Sequence, residues 1–173
     1  FFRELFRQIP FAAIFAEDLG YITADVREVV STYGFPRMAV LQFAFDGDPV
    51  RNVHMPHNYN ENLIVYTGTH DNNTTRGWFE KDLSNQTRRK LFDYIGRQVS
   101  PSDISWELIR VALASVAGIT IIPMQDLLGL ASRARMNHPA ERKGNWLWRM
   151  RPGQATLRVA ERLRKLTVAY GRA

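Results

Sequence analysis

Two carboxylates stand just beyond short apolar runs. Glu17 follows Phe11–Ala16 directly, and Asp71 follows Leu63–Thr67 after Gly68-Thr69-His70. A short apolar run of this kind reads as a buried strand. Carboxylates at the ends of two parallel strands can converge on one cleft. Paired carboxylates are the equipment of glycoside chemistry: one protonates the departing oxygen, the other attacks or stabilises the sugar cation. The residues alone leave a second reading open, in which each carboxylate caps a following helix or turn. His70 adds a donor for a sugar hydroxyl beside Asp71. Tyr59, Trp78, Phe79, Trp146 and Trp148 lie near polar loops, where an exposed ring can stack on a sugar face; Trp78 and Trp148 are expected in the core. His54, His57 and His70 fall within one stretch, yet none has a metal-ligand spacing, so no metal is expected. There is no phosphate loop, no Gly-x-Gly-x-x-Gly run and no serine elbow. Nucleotide chemistry has no support, and no cofactor is expected.

The elements that must position these residues alternate. Four apolar runs, Phe11–Ala16, Met38–Phe43, Leu63–Thr67 and Ile119–Ile122, exit into Glu17-Asp18, Asp46, His70-Asp71-Asn72 and Gln125-Asp126. Between them the pattern predicts a helix from Ala24, capped by Thr23 and stopped by Gly34. Another runs from Ser84 to about Gly96, a third from near Ser105 to Ala117, and a last from about Thr156 to Tyr170. Apolar strands alternating with helices argue for parallel α/β architecture. In α/β barrels the C-terminal strand ends carry the chemistry. Four strands are half of an eight-stranded barrel, or a small open doubly wound sheet.

With 45% hydrophobic residues the chain can bury a core, and 173 residues suggest one domain. The absence of cysteine excludes disulfides and thiol nucleophiles. The net charge of +6 would suit nucleic acid, but many basic residues interleave with Glu and Ala at helical spacing near the C-terminus. That pattern is a solvated helix face, so no nucleic-acid partner is expected. No apolar run approaches the roughly 20 residues of a membrane helix, so no membrane partner is expected. No leader is visible, and a cytoplasmic location is expected, or a plastid one in a plant. The chain opens on Phe1-Phe2-Arg3 without Met and reads as part of a longer protein.

Ordered blocks then become specific: Ala16-Glu17-Asp18-Leu19-Gly20, Val40 to Asp46 (VLQFAFD), Pro56-His57-Asn58-Tyr59, and Val65 to Trp78 (VYTGTHDNNTTRGW). Pro123-Met124-Gln125-Asp126, Ala134-Arg135-Met136-Asn137 and Gly144 to Arg149 (GNWLWR) follow. Together they resemble the C-terminal part of the amylomaltases, the disproportionating 4-α-glucanotransferases of glycoside hydrolase family 77. The resemblance implies a (β/α)₈ barrel with inserted subdomains, of which residues 1–173 would be the C-terminal half, strands five to eight. It implies cofactor-free transfer of α-1,4-glucan segments between maltooligosaccharides through a covalent glucosyl-enzyme. By motif, Glu17 would be the general acid/base and Asp71 the third carboxylate, gripping hydroxyls of the distorted sugar. His70, Asn145 and Asp46 would be substrate contacts. The family's nucleophilic Asp, in an Arg-x-Asp-His-type motif, has no match and would lie upstream of residue 1. Where the family usually has Gly, this chain has Ala140, so a positive φ there would strain the loop. An α-amylase-like hydrolase and a non-catalytic glucan-binding fragment are the alternatives.

Overall fold

In the computed structural model, which describes residues 1–173, the chain divides into two compact units, Phe1–Met38 and Ala39–Ala173. The first unit holds α1 (Phe2–Gln8), which the sequence pattern did not suggest, and α2 (Ala24–Thr32), which begins where Thr23 predicts. Aromatic rings organise it: Phe2 lies 4.9 Å from Phe35, and Phe6 stacks on Tyr33 at 5.8 Å. Phe11–Ala16 is not the expected strand. Its Ala16 N–H donates to the Pro36 carbonyl at 3.0 Å, but no ladder develops, and Phe11 and Phe15 are 97% and 55% exposed. An apolar run becomes a strand only when a neighbour pairs its backbone groups and covers a face. This one has a single backbone bond and one half-covered face.

Met38–Phe43 is expected as one strand and is instead split. β1 (Arg37–Val40) ends in a 3₁₀ turn, Leu41–Phe43. The turn buries Leu41 and points Gln42 at the backbone of Asn73, whose carbonyl accepts from Gln42 Nε2 at 2.9 Å. β2 (Leu63–Tyr66) follows the polar loop and leads to a short helix, α3 (Thr75–Gly77), continued by a π-helical turn, Trp78–Asp82. α4 (Asn85–Ile95) is capped by Ser84, whose hydroxyl accepts from Thr87 N–H at 3.0 Å. α5 (Ile104–Ala114), β3 (Ile119–Ile121), α6 (Met124–Leu127) and α7 (Leu157–Ala169) complete the order. The strands form one three-stranded sheet, order β1-β2-β3. β2 and β3 are parallel, with Ile64 opposite Ile119 and Tyr66 opposite Ile121. The architecture is therefore mixed α/β with a small sheet, three strands where four were expected.

α5 is the axis of the core. Ile104, Leu108, Val111 and Ala112 face a cluster with Leu41, Val65, Trp78 and Leu91. On its other side Trp106, Ile109 and Leu113 pack against Val159, Leu163 and Leu166 of α7. A helix apolar on both faces has to be buried on both. It ends at Ala114, three residues before the expected end, because Ser115 turns extended and its hydroxyl donates to Ala112 O at 2.7 Å. Gly118 lies between α5 and β3. Its N–H donates to Glu61 O at 2.9 Å, and a Cβ there would lie 2.5 Å from that oxygen. The close approach brings the start of β3 beside β2.

Candidate active site

His70 and Asp71 sit on the loop that leaves the C-terminal end of β2 and enters α3. The loop is tied from inside. The Asn72 side-chain oxygen accepts from the backbone N–H and hydroxyl of Thr69, at 2.9 and 2.8 Å. This bond from the Asn72 side chain back to Thr69 closes the turn over the two residues between them. Gly68 lies against the Gln42 amide, where a Cβ would come within 2.4 Å of Nε2. Beneath the loop the carboxylate of Asp126, on α6 beyond β3, is 1% exposed. It accepts from the Thr67 hydroxyl at 2.5 Å and from the backbone N–H and hydroxyl of Thr75 at 2.8 and 2.7 Å. Burial pushes the Asp126 carboxyl above the usual carboxylate range, and the donors from Thr67 and Thr75 pull against it.

A strap, Arg135–Asn137, crosses the outer side. Asn137 Nδ2 donates to Asp71 Oδ1 at 2.6 Å, and Asn137 N–H donates to His70 O at 3.1 Å. Arg135 donates to Asp71 O at 2.6 Å. His70 Nε2 lies 3.3 Å from Asp71 Oδ1, with both side chains about half exposed. The Trp146 ring stands 5.1 Å from the His70 ring and is 51% exposed. His70, Met136, Gln125 and Trp146 help line a cavity of about 150 Å³. A larger cavity of about 450 Å³, among α5 and α7, includes Arg97, Trp106, Arg110 and Arg162 and shares no residue with this loop. The exposed carboxylate, imidazole and indole in one place, not volume, mark the candidate site.

The remaining expected residues fall in different settings. Glu17 belongs to the first unit and is exposed. Its neighbour Asp18 is the carboxylate fixed there, accepting from Arg37 Nε at 2.6 Å and Met38 N–H at 3.0 Å. Asp46 Oδ1 accepts from the Thr87 hydroxyl at 2.8 Å, joining its loop to the first turn of α4. The Asn145 carboxamide is engaged within its own loop, accepting from His138 N–H at 2.8 Å and donating to Glu141 O at 2.9 Å. His54 Nδ1 accepts from Val40 N–H at 3.2 Å, and His57 Nε2 lies 3.1 Å from Pro49 O, so both are built into the polar loop. No group of three or more His, Cys, Asp or Glu is placed to hold a metal ion. Trp78 is buried and Trp148 half-buried. Ala140 adopts φ +68°, the left-handed conformation that its place in the sequence raised, and Trp146 adopts φ +61°. Sequence reasoning missed Asn137, Arg135 and the Asp126 anchor. Their blocks were visible, but pairings across 51 to 66 residues leave no local signal.

The family model described as 4-alpha-glucanotransferase, glycoside hydrolase family 77, matches residues 1–156. The chain belongs to the 4-alpha-glucanotransferase family. It is 48% identical to a chloroplastic/amyloplastic 4-alpha-glucanotransferase of Arabidopsis thaliana, over 92% of this chain and 28% of that one. It is 42% identical to the 4-alpha-glucanotransferase of Aquifex aeolicus, over 99% of this chain and 34% of that one. The amylomaltase from Streptococcus agalactiae, solved in complex with acarbose, is similar in structure. The TM-score is 0.93 at 35% identity, covering 99% of this chain and 34% of that one. A Corynebacterium glutamicum amylomaltase, at TM-score 0.63 and 16% identity over 96% of this chain and 30% of that one, shares the fold. The chain thus spans about a third or less of the length of these 4-alpha-glucanotransferase relatives. No helix is long and apolar enough to cross a membrane.

Proposed function

We propose that the protein containing this chain transfers α-1,4-glucan segments between maltooligosaccharides by a retaining double displacement. The observation that carries the reading is the half-exposed His70–Asp71 pair beside the exposed ring of Trp146, at the C-terminal end of a parallel strand. A carboxylate, a hydroxyl-seeking imidazole and an aromatic face are what a sugar ring requires of a site. The relative solved in complex with acarbose supports a glucan-type ligand. The chain is then the C-terminal half of one catalytic (β/α)₈ barrel, and the similarity to amylomaltase supports that extension.

In this reading an Asp upstream of Phe1 attacks the anomeric carbon while Glu17 gives its proton to the departing 4-oxygen. Glu17, now a carboxylate, takes the proton from the acceptor's 4-hydroxyl as that oxygen displaces the upstream Asp. The upstream Asp and Glu17 would stand about 5–5.5 Å apart, as retention requires. Asp71 stabilises the oxocarbenium-like transition state by charge, and a ring N–H of His70 holds a hydroxyl of the same sugar. Asp46 and Asn145 would shape the groove, Asn145 by holding the loop that presents Trp146. No cofactor takes part. A cytoplasmic setting, or a plastid one as in the plant relatives' names, fits this chemistry. Incubating the full-length protein with maltotriose tests the proposal. Glucose and a ladder of longer maltodextrins are expected. Reducing sugar accumulating without longer products would mean hydrolysis, and no turnover would leave a binding protein.

A further inference from the structure

Asp126 performs a task that its burial and its partners define. Thr67 is the first residue after β2 and Thr75 the first of α3. Residues 68–74, with His70 and Asp71, are all that lies between them. One carboxylate, 1% exposed, accepts a hydrogen bond from the entry of this loop and two from its exit. The loop therefore starts and ends on a single rigid group carried by α6, which follows the neighbouring strand β3.

We infer that Asp126 is a positioning residue: by holding Thr67 and Thr75 it fixes the place of the Asp71 carboxylate. The inference rests on the catalytic reading of Asp71 given above. A buried carboxylate without a cation is costly unless its oxygens are satisfied. The three donors satisfy it. An apolar residue would fill the volume, but it would leave two hydroxyls and one backbone N–H unsatisfied. The arrangement suits a need for geometry. A misplacement of about 1 Å at a reacting group can cost on the order of 10²-fold in rate.

The discriminating experiment is a double-mutant cycle in the full-length protein, reading kcat and KM for maltotriose. Asp126→Asn keeps shape but replaces one acceptor by a donor. We expect kcat to fall about 10- to 100-fold, KM to change much less, and cooperative unfolding to persist. In an Asp71→Asn background the same change should cost no more than about threefold, because it has nothing left to position. Thr67→Val, which removes one donor at nearly constant volume, should give the same pattern at smaller amplitude and serves if Asp126→Asn does not fold. Equal losses in both backgrounds would overturn the assignment of Asp126 and leave the role of Asp71 standing. Undiminished transfer by Asp71→Asn alone would overturn the catalytic reading of that site and the positioning role with it.

Discussion

The loops of residues 67–75 and 138–147 both border the candidate site, and they are built on opposite terms. The first is anchored from the interior by Gln42 and Asp126. The second is held by its own short-range bonds, Asn145 to His138 and Glu141 and Trp146 to Met136. It also contains two non-glycine residues at positive φ, Ala140 and Trp146. Left-handed backbone costs an L-residue roughly 1–2 kcal/mol. The chain accepts this strain where a ring is presented to solvent and avoids it where a charge is to be placed. Stabilising a transition state by charge is sensitive to tenths of an ångström, whereas stacking on a sugar face tolerates sliding.

Tightening the first loop should break the comparison most severely. Gly68→Ala sets a methyl 2.4 Å from Gln42 Nε2, so the buried Gln42–Asn73 bond has to give way. We expect a loss of about 1–3 kcal/mol in stability from the unpaired amide, by chemical denaturation. We also expect a fall of about 10²-fold in kcat as Asp71 moves. Cutting the strap is the next test. Asn137→Ala removes the 2.6 Å bond to Asp71 and should lower kcat about tenfold, consistent with a hydrogen bond to a charged group worth roughly 1.5–3 kcal/mol. The second loop should respond differently. Trp146→Ala should raise KM for maltotriose several-fold, as an aromatic contact of about 0.5–1.5 kcal/mol predicts, with kcat and stability nearly unchanged. The smallest effect should come from Ala140→Gly. Relief of the positive φ is partly offset by glycine's greater unfolded-state entropy, leaving a gain of at most about 1 kcal/mol. A loss of stability there would mean that the left-handed turn is not strained.

What sequence could and could not foretell follows the range of the interactions. Ser84 and Thr156 begin α4 and α7 because a side-chain cap acts within four residues, whereas Thr23 stands at the N-cap of α2 without a side-chain cap bond. β2 is legible because its apolar run is buried and paired in register with β3. Phe11–Ala16 has an equally apolar run and fails as a strand for want of a paired neighbour. The strain at Ala140 is legible as a departure from a family pattern, and its φ of +68° agrees. The role of Asp126 is not legible, because its donors lie 51 and 59 residues away. Nothing in a Gln-Asp pair after a strand separates a buried anchor from a substrate contact.

The proposed function stands on two roles, Glu17 as the acid/base and Asp71 as the stabilising carboxylate. The most direct test compares two donors in the full-length protein: maltotriose, and α-glucosyl fluoride, whose leaving group needs little protonation. Rapid-quench measurement of glucosyl-enzyme formation gives the rates. Glu17→Gln should slow the maltotriose reaction by at least about 10²-fold and the fluoride reaction far less, whereas Asp71→Asn should slow both. If Glu17→Gln slowed the fluoride as severely as maltotriose, or if both variants kept near-normal transfer, the account would be contradicted.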